Sequence, residues 1–205
     1  MRVKLLDLEK QDSIRRVVML DPQFRMHPVL GNFVSKHFYE CENLGVLHSG
    51  RPAEEFVFSQ ELLSRLGPLA ESYRGHVCQW IDVPVAQGRD QRRGTSRVRE
   101  IEAQRIAKEV VKLMQAGGEA LSVGIITFYA AQRDLIMEKL AQQKIDGTPL
   151  MVKREEGYGP HERFKLARKV RADGTVVAEE RLRVGSVDAF QGKEFDVVLL
   201  SCVRS

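Results

Sequence analysis

The order of hydrophobic and polar positions in this chain switches repeatedly between a helical and a strand-like pattern. Apolar residues recur every three or four positions in three segments, which predict helices at 28–40, 98–116 and 130–142. Short apolar runs rich in β-branched residues predict strands at 77–84, 123–127, 182–187 and 195–201. Strands that alternate with helices predict an α/β fold around a largely parallel sheet.

Particular residues mark the ends of these helices. Pro28 suits the first turn of the first helix, because the backbone N–H that it lacks would have no partner there. Thr95 or Ser96 can cap the start of the second helix, and the glycine pair at 117–118 ends it.

Residues 144–181 interrupt the alternation of helices and strands. The segment is rich in charged residues, and Asp173 followed by Gly174 predicts a hairpin turn within it. We interpret the segment as a basic, partly mobile insertion in one domain that spans residues 1–205. On composition, a solvated surface excursion is favoured over a specific binding arm.

The composition is that of an ordinary globular domain, with 43% hydrophobic and 29% charged residues in a chain of 205. No apolar stretch approaches the ~18 residues of a membrane span, and the charged start has no secretory core. The three cysteines, Cys41, Cys78 and Cys202, are far apart, which predicts free thiols. We therefore expect an intracellular protein, cytoplasmic or nuclear, that is neither secreted nor bound to a membrane. The net charge of +4 favours a polyanionic partner only weakly.

Two polar stretches at element boundaries are candidates for binding chemistry. In QFRMHP (23–28), Arg25 could place its guanidinium on a phosphate. Spacing alone favours the alternative, in which the Arg and His satisfy backbone carbonyls at a helix entrance. In GIITFYAAQ (124–132), Thr127 either donates to a phosphate at the carboxyl edge of a sheet or merely caps the helix.

The stretch SVDAFQGKEFDVVLLSCVRS, residues 186–205, is the third candidate. Ser186 and Asp188 follow a strand and would face a ligand or a neighbouring loop, and Glu194 could accept hydrogen bonds from a ribose. The alternative is a tight turn with Gly192 at positive φ and solvated charges. The two flanking strands could form either a hairpin or a parallel pair.

The sequence contains no complete site for a reaction. It has no GxxxxGK[ST] phosphate loop, because Gly192-Lys193 has no upstream glycine and Glu194 stands in place of the Ser or Thr that would hold Mg²⁺. It also has no HExxH, GxSxG or Cys/His metal pattern.

Four stretches together resemble superfamily 1 helicases of the 5′→3′ group, in the subgroup of the nonsense-mediated-decay helicase and senataxin. They are LDPQFRMHPVLGNFVSKHFYE, GTSRVREIEA, GIITFYAAQ and SVDAFQGKEFDVVLLSCVR. Arg99 stands where the family usually has Asn, and Phe128 stands where it has Pro. The last stretch matches every fixed position of its motif. The resemblance covers about residues 17–142 and 182–205 and leaves out the insertion.

The resemblance implies a three-layer RecA-like domain, of the P-loop NTPase-like kind, with a mostly parallel sheet and helices on both faces. It implies the second of two such domains, between which ATP binds. The phosphate loop and the Mg²⁺ ligands are then expected on the first domain, and a further arginine motif downstream. The expected partners are single-stranded nucleic acid and that first domain, while the oligomeric state is left open.

The resemblance also implies a role for eight residues. Arg25 is the expected catalytic residue, which reaches the γ-phosphate of ATP, and the ATP-binding residues are Gln23, Arg25, Gly192 and Glu194. The residues expected to contact nucleic-acid phosphates are Thr127 and Ser186, and those expected to couple the two sites are Asp188 and Gln191. No residue of this chain is expected to hold a metal.

The implied function is a part of an ATP-dependent DNA or RNA helicase that is inactive as an isolated chain. The alternative is a non-catalytic, RecA-like nucleic-acid-binding module, although such a module would need neither Arg25 nor Glu194. A third interpretation is an α/β scaffold that binds a small phosphorylated ligand.

Overall fold

The computed structural model describes residues 7, 10–11, 19–170 and 173–204, without the side chains of Leu69 and Ser72, as two compact units. The first unit contains Met1–Gln60 and Leu69–Gln79, and the second contains Glu61–Pro68 and Trp80–Ser205. The α-helices are α1 Pro28–Val34, α2 Gln60–Leu66, α3 Ala70–Tyr73, α4 Glu100–Gly117 and α5 Ala130–Gln142. No helix in these described ranges is long and apolar enough to cross a membrane.

The described strands are short, and most of them pair in twos. In chain order they are β1 Pro22–Gln23, β2 His48–Ser49, β3 Gln91–Arg93, β4 Ser96–Val98, β5 Val123–Thr127, β6 Lys144–Ile145, β7 Thr148–Pro149, β8 Met151–Arg154, β9 Gly157–Pro160, β10 Leu166–Val170, β11 Val176–Glu180, β12 Leu182–Gly185 and β13 Val197–Ser201. In the first unit, β1 and β2 form a parallel pair. The helix predicted at 28–40 is confirmed, with α1 continuing as a π-helical turn at Ser35–Tyr39.

Three parallel strands form the central sheet of the second unit, in the order β12-β5-β13. Val123 of β5 lies opposite Leu182 of β12 and Val197 of β13, so both outer strands run parallel to β5. The hairpin alternative is therefore excluded, and residues 186–196 form a crossover that passes over β5. The predicted α/β class with a parallel sheet is confirmed.

The two faces of this sheet are covered differently. Val123 and Ser201 are fully buried on one face, where Ser201 bonds to side chains of α4 and α5. Gly124 points to the other face, where an added Cβ would lie 2.6 Å from the Phe190 ring and 3.0 Å from that of Phe195. Among the described elements, the two long helices thus lie on one face, and the crossover lies over the other.

The predicted long helices are confirmed, but the predicted cap of α4 is wrong. Ser96 belongs to β4, and its Oγ accepts a hydrogen bond from the backbone N–H of Ala131 at 3.1 Å, so it caps α5 instead. The residue before α4 is Arg99. Gly118 follows α4 at φ 58°, as expected for a glycine that ends a helix.

The strand predicted at 77–84 is also wrong. These residues form no ladder, and Trp80 is 75% exposed. The carbonyl of Val83 instead accepts a hydrogen bond from the Arg99 guanidinium. The Val83 carbonyl is therefore paired with a side chain and not with a neighbouring strand.

The insertion at 144–181 is folded into three antiparallel hairpins, β6–β7, β8–β9 and β10–β11. Its own small core includes Leu150, Phe164 and Ala167, each at most 1% exposed. The predicted hairpin is confirmed, because Val170 pairs with Val176 across the predicted turn.

Polar side chains close the amino end of the sheet and attach the insertion to it. Asp196 Oδ2 accepts hydrogen bonds from the hydroxyl of Ser122 at 2.6 Å and from its backbone N–H at 2.8 Å. Lys169 of β10 donates to Asp196 Oδ1 at 2.9 Å. Burial disfavours the charge on Lys169, but its bonds to Asp196 and Glu179 outweigh that effect and raise the pKa of Lys169.

This raised pKa predicts a pH-dependent contribution to stability. Lys169 stabilises the fold below its unfolded pKa of about 10.4, and the contribution is lost as the pH rises through the higher folded pKa. We expect Lys169→Gln to lower the free energy of unfolding by about 0.5–1 kcal/mol near neutral pH. The loss should be smaller at an alkaline pH above the raised pKa of the folded state.

Urea unfolding of the wild type and of Lys169→Gln, at neutral and at alkaline pH, measures this difference. Arg168→Gln removes an exposed cation from the same strand and should have little effect at either pH. An equal loss for Lys169→Gln at both pH values would contradict a role for its charge.

Candidate functional site

The loop that presents Arg25 is shaped by the side-chain amide of Gln23. The Gln23 Oε1 atom accepts hydrogen bonds from the backbone N–H groups of Arg25 at 3.1 Å and Met26 at 2.7 Å. Its Nε2 group donates to the Met26 carbonyl at 3.0 Å and to Ser49 Oγ at 2.8 Å. Gln23 therefore fixes the backbone of the loop, while Arg25 is exposed.

Two neighbours complete this loop. His27 accepts a hydrogen bond from the backbone N–H of Val29 through Nδ1 at 3.1 Å, so it caps α1 rather than binding a carbonyl. Gly31 lies directly below Gln23, where an added Cβ would be 2.8 Å from Gln23 Nε2. Glycine is needed at this position because the amide that shapes the loop packs against it.

The crossover between β12 and β13 carries five of the predicted site residues. Ser186 follows β12 at the carboxyl edge of the sheet and precedes a 3₁₀ turn, Val187–Phe190. Asp188 and Gln191 lie next along the loop and are exposed, as are Ser186, Gly192 and Glu194. One loop thus presents all five side chains or backbone groups to solvent.

The first and last of these five residues lie at opposite edges of the sheet, because the crossover begins at the carboxyl end of β12 and finishes at the amino end of β13. Ser186 lies at the first edge, and Glu194 lies two residues before Asp196 at the second. Gly192 has φ 74°, and nothing lies within 4 Å of an added Cβ. The positive φ at Gly192 agrees with the tight turn of the alternative interpretation, and the open space beside it also gives a ligand access to the backbone.

Thr127 ends β5 and is only 1% exposed. Its Oγ1 accepts a long hydrogen bond, 3.5 Å, from the backbone N–H of Tyr129, just before α5. This position favours the helix-entrance interpretation over a direct phosphate contact in the conformation described. Thr127 and Ser186 nevertheless lie at the same carboxyl edge, because β5 and β12 are parallel neighbours.

A buried polar network at this edge was missed by reasoning from the sequence. Gln132 of α5 is 0% exposed, and its Oε1 accepts a hydrogen bond from the backbone N–H of Arg99 at 2.8 Å. Its Nε2 donates to Ser201 Oγ at 3.1 Å and to the Arg99 carbonyl at 3.3 Å. One amide thereby joins the starts of α4 and α5 to the end of β13.

Glu102 of α4 extends the network to the residues after β13. It accepts hydrogen bonds from Ser201 Oγ at 2.7 Å and from the backbone N–H of Val203 at 3.2 Å, through both carboxylate oxygens. Val203 is buried at φ 66°, and the N–H of Arg204 donates to the Cys202 carbonyl at 2.7 Å. The carboxylate therefore holds a γ-turn whose positive φ is unusual for a β-branched residue.

Arg99 is a buried part of this scaffold. It is 3% exposed, and its guanidinium donates to the carbonyls of Gly88, at 3.0 Å, and Val83. The same guanidinium lies 3.9 Å from the Glu102 carboxylate. Where the resembled family usually has Asn, this chain thus has a cation that binds the preceding loop.

The exposed groups fit a nucleotide and a nucleic-acid backbone in chemical kind. A guanidinium binds phosphate oxygens, a carboxylate accepts from sugar hydroxyls, and a hydroxyl donates to a phosphodiester. Within the described ranges, no three His, Cys, Asp or Glu side chains come together to hold a metal ion.

Comparison with known proteins identifies the family. The family described as "AAA domain" matches residues 2–205. This chain belongs to the AAA domain family. Its relatives include a regulator of nonsense transcripts 1 homolog of Drosophila melanogaster, which is 29% identical and is aligned over 93% of this chain and 13% of its own length.

Two yeast relatives of this AAA domain chain are named as helicases. The ATP-dependent helicase NAM7 of Saccharomyces cerevisiae is 29% identical over 92% of this chain and 15% of its own length. The putative ATP-dependent RNA helicase ECM32 of the same yeast is 27% identical over 94% of this chain and 17% of its own length. The chain thus spans only a small part of the relatives that it matches.

The residues of the missed network do occur in the quoted motif stretches. Gln132 ends GIITFYAAQ, Glu102 lies in GTSRVREIEA, and Ser201 lies in the last motif. Their place in these stretches was the available signal. Hydrophobic periodicity does not say which polar positions are buried, so the signal was not specific.

The network predicts a large effect at Gln132. Gln132→Leu would leave the Arg99 N–H and carbonyl buried without this partner and remove a bond from Ser201, so we expect the free energy of unfolding to fall by about 2–4 kcal/mol. Gln142→Leu, at an exposed position of the same helix, should change it by less than about 0.5 kcal/mol. Chemical denaturation of both variants measures this. Similar losses for the two would show that the buried amide is not a structural centre.

Proposed function

We propose that this chain is the second, C-terminal RecA-like domain of an ATP-dependent superfamily 1 helicase that acts on DNA or RNA. The observation that carries the proposal is the exposed crossover at 186–194, where a complete motif leaves the carboxyl edge of a parallel sheet. Ligands of open α/β sheets bind at this edge. The similarity to proteins named as ATP-dependent helicases supports the same assignment.

The residues proposed for ATP are Arg25, Gln23, Gly192 and Glu194. Arg25 would bind the γ-phosphate and stabilise the charge that develops there, which is the role of a transition-state cation. Gln23 supports this by holding the loop with four hydrogen bonds. Glu194 would accept from the ribose hydroxyls, and Gly192 would let the backbone approach. When bound, ATP supplies the energy for movement, and its Mg²⁺ would be held by the first domain.

The residues proposed for the nucleic-acid strand are Ser186 and Thr127. Ser186 is exposed at the carboxyl edge, where its hydroxyl can donate to a phosphate oxygen. Thr127 is buried beside it, so a direct contact would require Thr127 to become exposed. Contacts to the phosphates position a strand without reading its sequence, which suits a motor that moves along any strand.

Asp188 and Gln191 are proposed to couple the two sites, because they lie between Ser186 and Glu194 on one loop. The N–H of Gln191 donates to the Asp188 carbonyl at 3.2 Å, and the N–H of Lys193 donates to the Phe190 carbonyl at 3.0 Å. These bonds make the crossover a chain of short turns. Movement at the ribose end would therefore be transmitted to the strand end.

The setting of this domain follows from the same proposal. Its partners would be single-stranded nucleic acid and the first RecA-like domain of the same enzyme. An intracellular location is proposed, cytoplasmic or nuclear, and the three cysteines are free thiols in the structure. An arginine and a ribose-binding carboxylate favour this motor over a module that only binds nucleic acid.

Arg25 provides the sharpest test of the ATP role. In the enzyme that contains this chain, Arg25→Ala should lower kcat for ATP by about 100-fold or more, because it removes a charge donor to the transition state. Affinity for single strands should stay within about twofold. Steady-state phosphate release and fluorescence anisotropy measure the two quantities.

Two further variants serve as controls for Arg25. Arg25→Lys keeps the charge without the planar fork and should restore part of the activity. Lys36→Ala removes another exposed cation of the same unit and should leave kcat unchanged. Loss of strand binding with intact ATP turnover in Arg25→Ala would contradict the proposed role.

The isolated chain should not turn over ATP. Its sequence has no GxxxxGK[ST] loop, so nothing in it cradles the β- and γ-phosphates. Phosphate release by the purified 205-residue chain should equal the no-protein background with and without Mg²⁺. Mg²⁺-dependent turnover that disappears in Arg25→Ala would show that the chain is a complete ATPase.

A further inference from the structure

A groove runs along the outer face of α5, between the insertion and the end of β12. Its volume is about 490 Å³, and its lining includes Arg93 of β3, Arg133 of α5, Tyr158 of β9 and Ser186. The insertion thus forms one wall of a groove whose other side carries a proposed strand-binding residue.

A smaller pocket adjoins this groove and has a different character. Its volume is about 130 Å³, and it shares Tyr158, Met137 and Val184 with the groove. The rest of its lining is mixed, with apolar groups from Met151, Pro160 and Leu182 and charged groups from Glu180 and Arg183. An aromatic ring beside a pocket of this mixed character is suited to a nucleobase, which has a flat face and polar edges.

We propose that the groove binds single-stranded nucleic acid, with one base stacked on Tyr158 at the small pocket and adjacent phosphates on Arg93 and Arg133. This rests on the proposed function, because Ser186 at one end of the groove is a strand contact only in that function. The insertion then extends the strand path beyond the motif residues by an aromatic and cationic surface of its own.

The groove carries both signs of charge, so its charges alone do not select a polyanion and the base contact must supply part of the affinity. Asp134, Glu138 and Glu156 line the groove beside the two arginines. Arg133 is paired with Asp134 at 2.7 Å, and both side chains are largely exposed, so a phosphate can replace Asp134 at little cost. Glu138 and Glu156 would repel the phosphates, so removal of one of these charges should increase the affinity for a strand.

The structure also supplies matched controls. Arg92 and Arg93 are consecutive exposed residues of β3, so their side chains point to opposite sides of the hairpin, and only Arg93 lines the groove. Glu155 and Glu156 are consecutive exposed residues of the turn between β8 and β9, and only Glu156 lines it.

The phosphate contact is tested by the salt dependence of binding. Fluorescein-labelled oligo(dT) and oligo(U) are titrated with the 205-residue chain at several salt concentrations. Arg93→Ala should weaken binding and reduce the slope of log K against log salt by about 0.7, the value for one phosphate on a single strand. Arg92→Ala should leave the slope unchanged. Equal slopes for the two variants would overturn the phosphate contact.

The base contact is tested at Tyr158. Tyr158→Ala should weaken binding by about fivefold or more without changing the salt slope, whereas Tyr158→Phe should retain the wild-type affinity. An oligonucleotide without bases should bind the wild type and Tyr158→Ala equally. A loss that persists with this abasic strand would overturn the stacking contact. Thermal melting of each variant shows whether it is folded.

The acidic rim tests which kind of ligand the groove accepts. Glu156→Gln should tighten binding of both oligonucleotides, and Glu155→Gln should have a much smaller effect. A decrease in affinity for Glu156→Gln would overturn the proposal, because a carboxylate beside bound phosphates should repel them and its removal should not weaken binding.

Failure of this inference is distinguishable from failure of the proposed function. If the chain binds strands and Ser186→Ala weakens binding while Arg93→Ala and Tyr158→Ala do not, the groove is not used and the proposed function stands. If the chain binds no strand even at low salt, both are overturned.

Discussion

The buried side-chain amide of Gln132 is the contact on which the carboxyl edge of the sheet depends. It joins α5 to the start of α4 and the end of β13, through Arg99 and Ser201, at a place that water does not reach. Buried polar groups without water must find partners in the protein, so these groups constrain one another. Glu102 adds the turn at Val203 to the same unit. Three motif stretches therefore meet as one scaffold.

This scaffold determines which motif residues are left for a ligand. Gln132 and Glu102 have their oxygens directed into the protein, whereas the crossover that starts at Ser186 lies outside the network and is exposed. The Arg25 loop has the same organisation, with the Gln23 amide directed inward and Arg25 outward. In both places hydrogen-bonded polar groups are directed into the protein, and neighbouring exposed residues are left for a ligand.

The sequence predicted the long helices and the central strands because burial on one face imposes a period on them. It failed at residues 77–84, where an apolar run forms no ladder and the Val83 carbonyl accepts a hydrogen bond from Arg99 instead. It also missed the core of the insertion around Phe164, because strands of two to five residues are too short to show a hydrophobic period. Neither outcome could be found from hydrophobic periodicity, because an apolar run does not say which partners its backbone groups find and short strands show no period.

A match to a motif does not distinguish residues that can bind a ligand from residues that hold the site together. The burial of each side chain does distinguish them. Thr127 and Ser186 occupy equivalent edges of neighbouring strands, yet one is 1% exposed and the other faces solvent. A phosphate can approach Ser186 in the described conformation, whereas Thr127 is buried and cannot be reached without a rearrangement. Under the proposed function, the first contact to a strand would therefore be at Ser186, and a contact to Thr127 would report a change of conformation at this edge.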